Sequence, residues 1–181
     1  MIRKTWNAEH YHHLLKSKLG EIALIWSDES FPRVLAILLP GEEQRQAVAA
    51  TSRGRKLPPL AARLADYLAG KPVRFSLREL DWTGISEFRR EVMRACVAIR
   101  RGSVTTYGKL AEQAGRKNAA RAVGAAMARN PFPLVIPCHR VVASDGHLHG
   151  FGGGMEALAL KRRLLEHEGH VMRDEFHAML P

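Results

Sequence analysis

The hydrophobic pattern of the first half of the chain is typical of strands and short helices. Residues 20–26 and 33–39 are rich in isoleucine, leucine, valine and tryptophan, and turn-forming residues separate them, so we predict a β-hairpin. A short helix is expected at 42–52, and residues 73–77 are interpreted as a further strand. These elements predict a small α/β domain with a β-sheet.

Most of the remaining chain has helical spacing. Leucine recurs on one face of the segment after Pro58, which Gly70 ends, and apolar residues form a helical stripe over 88–99. Two further helices are expected at 106–114 and 119–129. The connection between them has the length expected of a helix-turn-helix.

The predicted elements divide the chain into two domains. Residues 78–87 show no clean period and contain a glycine, which indicates a linker. The expected fold class is α/β (α+β), with a small N-terminal α/β domain at 1–80, a linker at 81–87 and a mainly helical C-terminal domain at 88–181. That second domain contains the helix-turn-helix and a last helix at 156–167.

Composition and charge narrow the class of partner. The chain has 181 residues, of which 46% are hydrophobic and 25% charged, so it can bury a core and is neither a disordered tail nor a collagen-like fibre. Its formal net charge is +10, and residues 89–129 contribute +8 of it, from ten basic and two acidic side chains. A solvated basic face is the simplest interpretation. Its coincidence with the helix-turn-helix favours contacts with DNA phosphates.

The helix predicted at 119–129 is unusual for a reader of the major groove, because alanine and glycine dominate it. Such a small-sided helix can approach a DNA backbone or a narrow groove closely. We therefore expect double-stranded DNA as partner, bound through the minor groove and largely independent of sequence.

Cysteine content and apolar runs indicate the compartment. The two cysteines, Cys96 and Cys138, are too few for a disulfide framework or a four-thiolate zinc site. The N-terminal residues show no apolar signal-peptide region, and the longest apolar run, 34–39, is far too short to span a membrane. We expect a cytoplasmic protein with no membrane partner, in which Cys96 belongs to the apolar stripe.

The segment around Cys138 carries the most informative chemistry. A free cysteine in an apolar strand is usually a small buried hydrophobe. Neighbouring residues of a strand point to opposite faces, so His139 would reach the thiol through a bridging water. A carboxylate on the other ring nitrogen of His139 would complete an activated nucleophile. Glu166 and Glu168 are both candidates for that carboxylate.

Five motifs, in their order along the chain, resemble the O6-alkylguanine-DNA alkyltransferases: TYGKLA at 106–111, AARAVG at 119–124, NP at 130–131, IPCHRVV at 136–142 and LLEHEG at 164–169. Together they span about 84–170. The resemblance implies direct-reversal DNA repair, in which one alkyl group of O6-alkylguanine, or of O4-alkylthymine, is transferred irreversibly to the protein after base flipping. It implies no cofactor, no metal and a monomer.

The resemblance also assigns roles to individual residues. Cys138 would accept the alkyl group, His139 would act as base through water, and Glu168 would orient His139. Asn130 would tie the recognition helix to the active-site segment, and Tyr107 would assist the departure of guanine. Without the resemblance, Tyr107 would be interpreted as a core tyrosine and Asn130 as the end of a helix.

The resemblance implies that Arg121 fills the space that a flipped base vacates, and an inserted side chain would offset part of the cost of unstacking. The simpler interpretation is one more arginine bound to a phosphate. The residues expected to contact DNA are Arg121, Tyr107, Thr106, Ala120, Lys109 and Arg129.

The glycine-rich segment at 150–154 lacks the Gly-Lys-Ser/Thr ending of a phosphate-binding loop. The resemblance instead implies that it walls a guanine pocket, in which the carbonyls of Cys138 and Leu148 read the exocyclic amine and the Gly152 amide reads O6. Phe151 stands where tyrosine is common in the family, so a side-chain hydrogen bond is lost there. The expected pocket residues are Met127, Leu148, Phe151, Gly152 and Gly153.

Three other hypotheses compete with alkyl transfer. A lesion-binding module of the alkyltransferase-like type would flip the base without accepting its alkyl group, but such proteins lack the acceptor cysteine. A hydrolase using Cys138, His139 and a glutamate would turn over many times. A metal site would need Cys138 and His139 together with His147 and His149, which lie in a loop without a matching carboxylate pattern.

Overall fold

The computed structural model describes residues 5–27, 32–54, 56–146, 148 and 155–171. It forms two compact units, Met1–Thr83 with Pro131–Val135, and Gly84–Asn130 with Ile136–Pro181. The strands are β1 (His10–Ser17), β2 (Gly20–Ser27), β3 (Arg33–Leu38), β4 (Ser52–Arg53), β5 (Thr105–Thr106) and β6 (Val141–Val142). The helices are α1 (Glu42–Ala50), α2 (Pro59–Leu68), α3 (Glu87–Val97), α4 (Tyr107–Gln113), α5 (Ala120–Ala128) and α6 (Met155–His167), with a 3₁₀ turn at Cys138–Arg140. The mixed α+β class is confirmed.

The first unit is built on a four-stranded sheet in the order β3-β2-β1-β4. The predicted hairpin is confirmed as β2 and β3, which pair antiparallel, and β1 pairs antiparallel with the other edge of β2. Ile22–Trp26 is buried without interruption, as expected of a central strand covered on both faces. The predicted helices at 42–52 and after Pro58 are confirmed as α1 and α2.

The strand predicted at 73–77 is wrong. Residues 71–76 have no regular structure, and the neighbouring sheet contact is a single parallel bridge between Val34 and Leu80. The ring of Phe75 lies 5.9 Å from the ring of Tyr67 in α2. The apolar residues of this segment therefore cover a helix and do not pair in a sheet.

The second unit contains α3 to α6 and a small parallel pair of strands. The apolar stripe predicted over 88–99 is confirmed, since its members Val92, Cys96 and Ile99 are buried. The helices predicted at 106–114 and 119–129 are α4 and α5. The Thr106 hydroxyl caps α4 by accepting a hydrogen bond from the Lys109 amide at 3.2 Å.

The prediction that Cys138 and His139 lie in extended chain is wrong, because both belong to the 3₁₀ turn. Extended structure is restricted to β6, directly after the turn, where Val141 pairs with Thr105 and Val142 with Thr106 of β5. Since β5 leads into α4, this pairing holds the start of α4 beside the Cys138 turn. No helix in the described residues is long and apolar enough to cross a membrane.

Candidate active site

Cys138 begins the 3₁₀ turn as a buried thiol that accepts a hydrogen bond from the Asn130 side chain. Asn130 Nδ2 donates to Cys138 Sγ at 3.2 Å and to the carbonyl oxygen of Ile136 at 2.8 Å. Burial raises the pKa of the Cys138 thiol above its ordinary value, while the Asn130 hydrogen bond and the charge of Lys161 act in the opposite direction. The thiol is therefore protonated at neutral pH, and a nucleophilic role requires a base.

His139 follows Cys138 in the 3₁₀ turn and is fully buried. Its Nε2 lies 2.9 Å from Glu168 Oε1. Burial lowers the pKa of His139 below its ordinary value, opposed by the hydrogen bond and charge of Glu168. A carboxylate can only accept, so Nε2 carries the proton of the neutral ring and Nδ1 keeps a lone pair. Within the described residues, Nδ1 has no hydrogen-bond partner.

Glu168 is the carboxylate that the structure brings to His139, and Glu166 is exposed. Arg140 binds it in a bidentate manner, with Nε donating to Oε2 and Nη2 to Oε1, both at 2.7 Å. The third nitrogen of Arg140, Nη1, donates to the carbonyl oxygen of Ile99. Sequence analysis missed Arg140, although its place beside Cys138 and His139 in the IPCHRVV motif is a signal that could have found it.

Tyr107 and Lys161 form a second pair close to the thiol. Burial, with the nearby Cys138 as a further cause, raises the pKa of Tyr107 to about 12, so its phenol stays protonated. Lys161 Nζ lies 5.9 Å from the centre of the Tyr107 ring and donates to the carbonyl oxygen of Val141 at 2.7 Å. Burial lowers the pKa of Lys161 to about 8. A neutral phenol and a buried ammonium therefore accompany the Cys138 thiol.

Sequence analysis also missed Lys161. The signal is its position on α6, because it precedes the buried Leu164 and Leu165 by three and four residues and so lies on the apolar face of the helix. Lysine is seldom found fully buried without a specific reason. A lysine on the apolar face of a helix is therefore worth testing as a functional residue.

The residues expected to contact DNA have different surroundings. Lys109 on α4, Arg121 on α5 and Arg129 directly after α5 are exposed, whereas Thr106 and Ala120 are half-buried. A Cβ atom added at Gly124 of α5 would lie 3.9 Å from the Tyr107 ring, so the small-sided helix lies against that tyrosine. The carbonyl oxygen of Arg129 accepts a hydrogen bond from Arg89.

The structure describes two of the five expected pocket residues. Met127 is buried near the end of α5, and Leu148 is half-buried. Phe151, Gly152 and Gly153 lie outside the described residues, as do His147 and His149 of the metal hypothesis. No group of three or more His, Cys, Asp or Glu within the described residues could hold a metal ion.

The chain resembles known proteins in sequence and in fold. The family model of the DNA-binding domain of 6-O-methylguanine DNA methyltransferases matches residues 87–170. The methylated-DNA–protein-cysteine methyltransferase of Methanothermobacter thermautotrophicus is 39% identical over 160 residues, which cover 86% of this chain and 83% of that protein. The chain belongs to the methylated-DNA–protein-cysteine methyltransferase family.

Solved structures agree with this assignment. The O6-methylguanine methyltransferase of Mycobacterium tuberculosis has a TM-score of 0.72 at 30% identity, over 92% of this chain and 97% of that one. The structure of Mycobacterium tuberculosis OGT in complex with DNA has a TM-score of 0.68 at 29% identity, over 87% of this chain and 92% of that one.

Proposed function

We propose that this protein repairs alkylated DNA by direct reversal, transferring the alkyl group of O6-alkylguanine or of O4-alkylthymine to Cys138. The observation that carries the proposal is the buried Cys138 thiol beside a neutral His139 whose Nε2 is hydrogen-bonded to Glu168. This arrangement supplies a nucleophile, a base and a group that orients the base.

The transfer follows from the protonation states of these groups. His139 Nδ1 takes the Cys138 proton through a bridging water, and the sulfur attacks the alkyl carbon. The S–C bond forms as the C–O6 bond breaks, and the electron pair stays on the guanine. The phenol of Tyr107 donates a proton to the departing base and recovers one from His139, so the thiol proton ends on guanine. The products are unmodified guanine and an S-alkyl cysteine.

A thioether is not hydrolysed under ordinary conditions, which makes the reaction a single turnover. Each molecule is consumed by one repair event, with no cofactor and no metal in the scheme. The thiol must also stay reduced before it meets a lesion, which fits residence in the cytoplasm.

The DNA complex is proposed from the exposed basic residues of α4 and α5. Lys109 and Arg129 would bind phosphates, and the alanine-rich side of α5 would approach the minor groove without reading sequence. The target base would leave the duplex, since O6 chemistry needs access to the base, and Arg121 would fill its place. A monomer is sufficient for this scheme, because the described catalytic groups all come from one chain.

The test is transfer from a duplex oligonucleotide that contains labelled O6-methylguanine, with the label mapped by peptide mass. We expect the label on Cys138 of the wild type. The Cys96→Ser variant, which loses the other thiol, should be labelled on Cys138 as well. The Cys138→Ser variant should bind the lesion without accepting the label. A lesion-binding module would leave Cys138 unlabelled. A Cys-His hydrolase would release the label repeatedly, and either result would overturn the proposal.

A further inference from the structure

Two adjacent arginines follow α3 and have different surroundings. Arg100 is exposed, whereas Arg101 is half-buried and donates from Nη2 to the carbonyl oxygen of His167 at 2.9 Å. His167 is the last residue of α6, and Glu168 follows it directly. Sequence analysis assigned both arginines to one basic face. Arg101, however, binds the backbone next to the active-site carboxylate.

A second hydrogen bond joins the turn after α3 to the residues that follow α6, and here the donor lies after α6. His170 Nδ1 lies 3.0 Å from the carbonyl oxygen of Gly102, which can only accept, so Nδ1 carries the proton. Gly102 has a φ of +76°, and a Cβ atom there would lie 3.3 Å from the carbonyl oxygen of Glu168. The turn at 99–102 therefore lies directly against the backbone of Glu168.

The active-site turn is attached to this turn as well. Arg140, which holds both oxygens of Glu168, donates from Nη1 to the carbonyl oxygen of Ile99. The last carbonyls of a helix lack partners within it, and cationic donors near a helix C-terminus are favourable. Arg101 supplies such a donor at the end of α6, and Arg140 supplies one just beyond the end of α3.

We infer that Arg101 and His170 are positioning residues of the transfer reaction: they fix the turn at 99–102 to residues 167–170, and so hold Glu168 where it orients His139. The inference rests on the proposed function, because it gives Glu168 and His139 a purpose in transfer. It separates Arg101 from the basic residues that bind DNA.

The test compares Arg101→Gln with Arg100→Gln, a matched loss of one positive charge at the adjacent exposed position. Three quantities are measured: the transfer rate from an O6-methylguanine duplex at saturating protein, the pH profile of Cys138 alkylation by iodoacetamide, and the affinity for undamaged duplex. We expect Arg101→Gln to lower the transfer rate by about tenfold, since small misplacements near reacting groups are costly. Its alkylation profile shifts to higher pH, whereas Arg100→Gln keeps the wild-type profile.

Two further variants test the same positioning role. Arg101→Lys retains a cationic donor and is expected to recover part of the rate. His170→Gln removes the hydrogen bond to the carbonyl oxygen of Gly102 and should shift the alkylation profile in the same direction. This variant tests the inference even if Arg101→Gln does not fold.

Equal transfer rates and profiles for Arg101→Gln and Arg100→Gln would overturn the inference. Failure of the proposed function is a different result, namely no transfer to Cys138 by the wild type. In that case the iodoacetamide profiles still test whether Arg101 holds the Glu168–His139 pair, because they need no DNA substrate.

Discussion

At the scale of single residues, the site depends on groups whose protonation is set by burial. The Cys138 thiol and the Tyr107 phenol are kept neutral, His139 is kept a neutral base, and Lys161 carries a charge where water is excluded. Because burial shifts the pKa of each group, each makes the free energy of unfolding depend on pH. Lys161 offers the clearest measurement, because the pKa values of its unfolded and folded states, 10.5 and about 8, are separated by a wide pH range.

Lys161→Met tests the cost of burying that charge. Folding lowers the pKa of Lys161 from 10.5 to about 8, so between these pH values the unfolded chain binds more protons than the folded one. The penalty is complete below pH 8 and disappears as pH rises towards 10.5. The free energy of unfolding of the wild type should therefore rise relative to that of Lys161→Met across this window, as measured by urea denaturation. A constant difference between the two proteins would contradict it.

The candidate site residues that could be proposed from the sequence are those whose chemistry is visible in their type. Cys138, His139, Glu168 and Asn130 lie together as the motifs indicated, although the choice between Glu168 and Glu166 needed the structure. Lys161 was missed because lysine is normally solvent-exposed, and its burial becomes visible only once α6 is in place.

At the scale of elements, the site depends on a very short pair of strands. The two-residue β5 and β6 hold the start of α4 beside the Cys138 turn, and Thr106 belongs to β5 while it caps α4. Two-residue strands have no hydrophobic period, so the sequence could not predict this pairing. Strand β1 was missed for a related reason, since His10, His12 and His13 interrupt its apolar pattern.

Thr106→Ala tests the cap. Removing the hydroxyl leaves the Lys109 amide without its acceptor, and the loss of such a cap costs about 1 kcal/mol. The first turn of α4, which carries Tyr107, should fray, so we expect a lower free energy of unfolding and slower transfer from duplex DNA. Thr106→Ser keeps the hydroxyl and serves as the control. Wild-type stability together with a wild-type transfer rate for Thr106→Ala would refute the role of the cap.

At the scale of the whole molecule, the chain crosses between its units and returns. Residues 131–135 belong to the first unit, where the carbonyl oxygen of Pro131 accepts from the Ile37 amide at 2.9 Å and Phe132 lies 6.0 Å from Trp82, ring to ring. The sequence predicted one linker at 81–87 and could not reveal this second crossing, because its contacts join residues far apart in the chain. The basic charge, by contrast, was visible as a cluster over 89–129.

Arg121→Ala tests how that charge is used on DNA. Lys117→Ala is the control, because it removes one exposed charge from the connection between α4 and α5. For either variant, the loss of a phosphate contact would reduce the slope of the logarithm of the binding constant against the logarithm of salt concentration by about one. We expect only Arg121→Ala to slow repair of duplex DNA at saturating protein, since it also loses the side chain that replaces the flipped base. Unchanged repair by Arg121→Ala would exclude this role.

Irreversible transfer means that Cys138 is consumed once for each repaired lesion. The most direct measurement is intact-protein mass spectrometry during reaction with an excess of O6-methylguanine duplex, together with quantification of the repaired DNA. We expect repair to stop at one lesion per protein molecule, when each chain has gained the mass of one methylene group because the S–H of Cys138 has become S–CH3. Continued repair beyond that amount, or repair by a protein of unchanged mass, would contradict it.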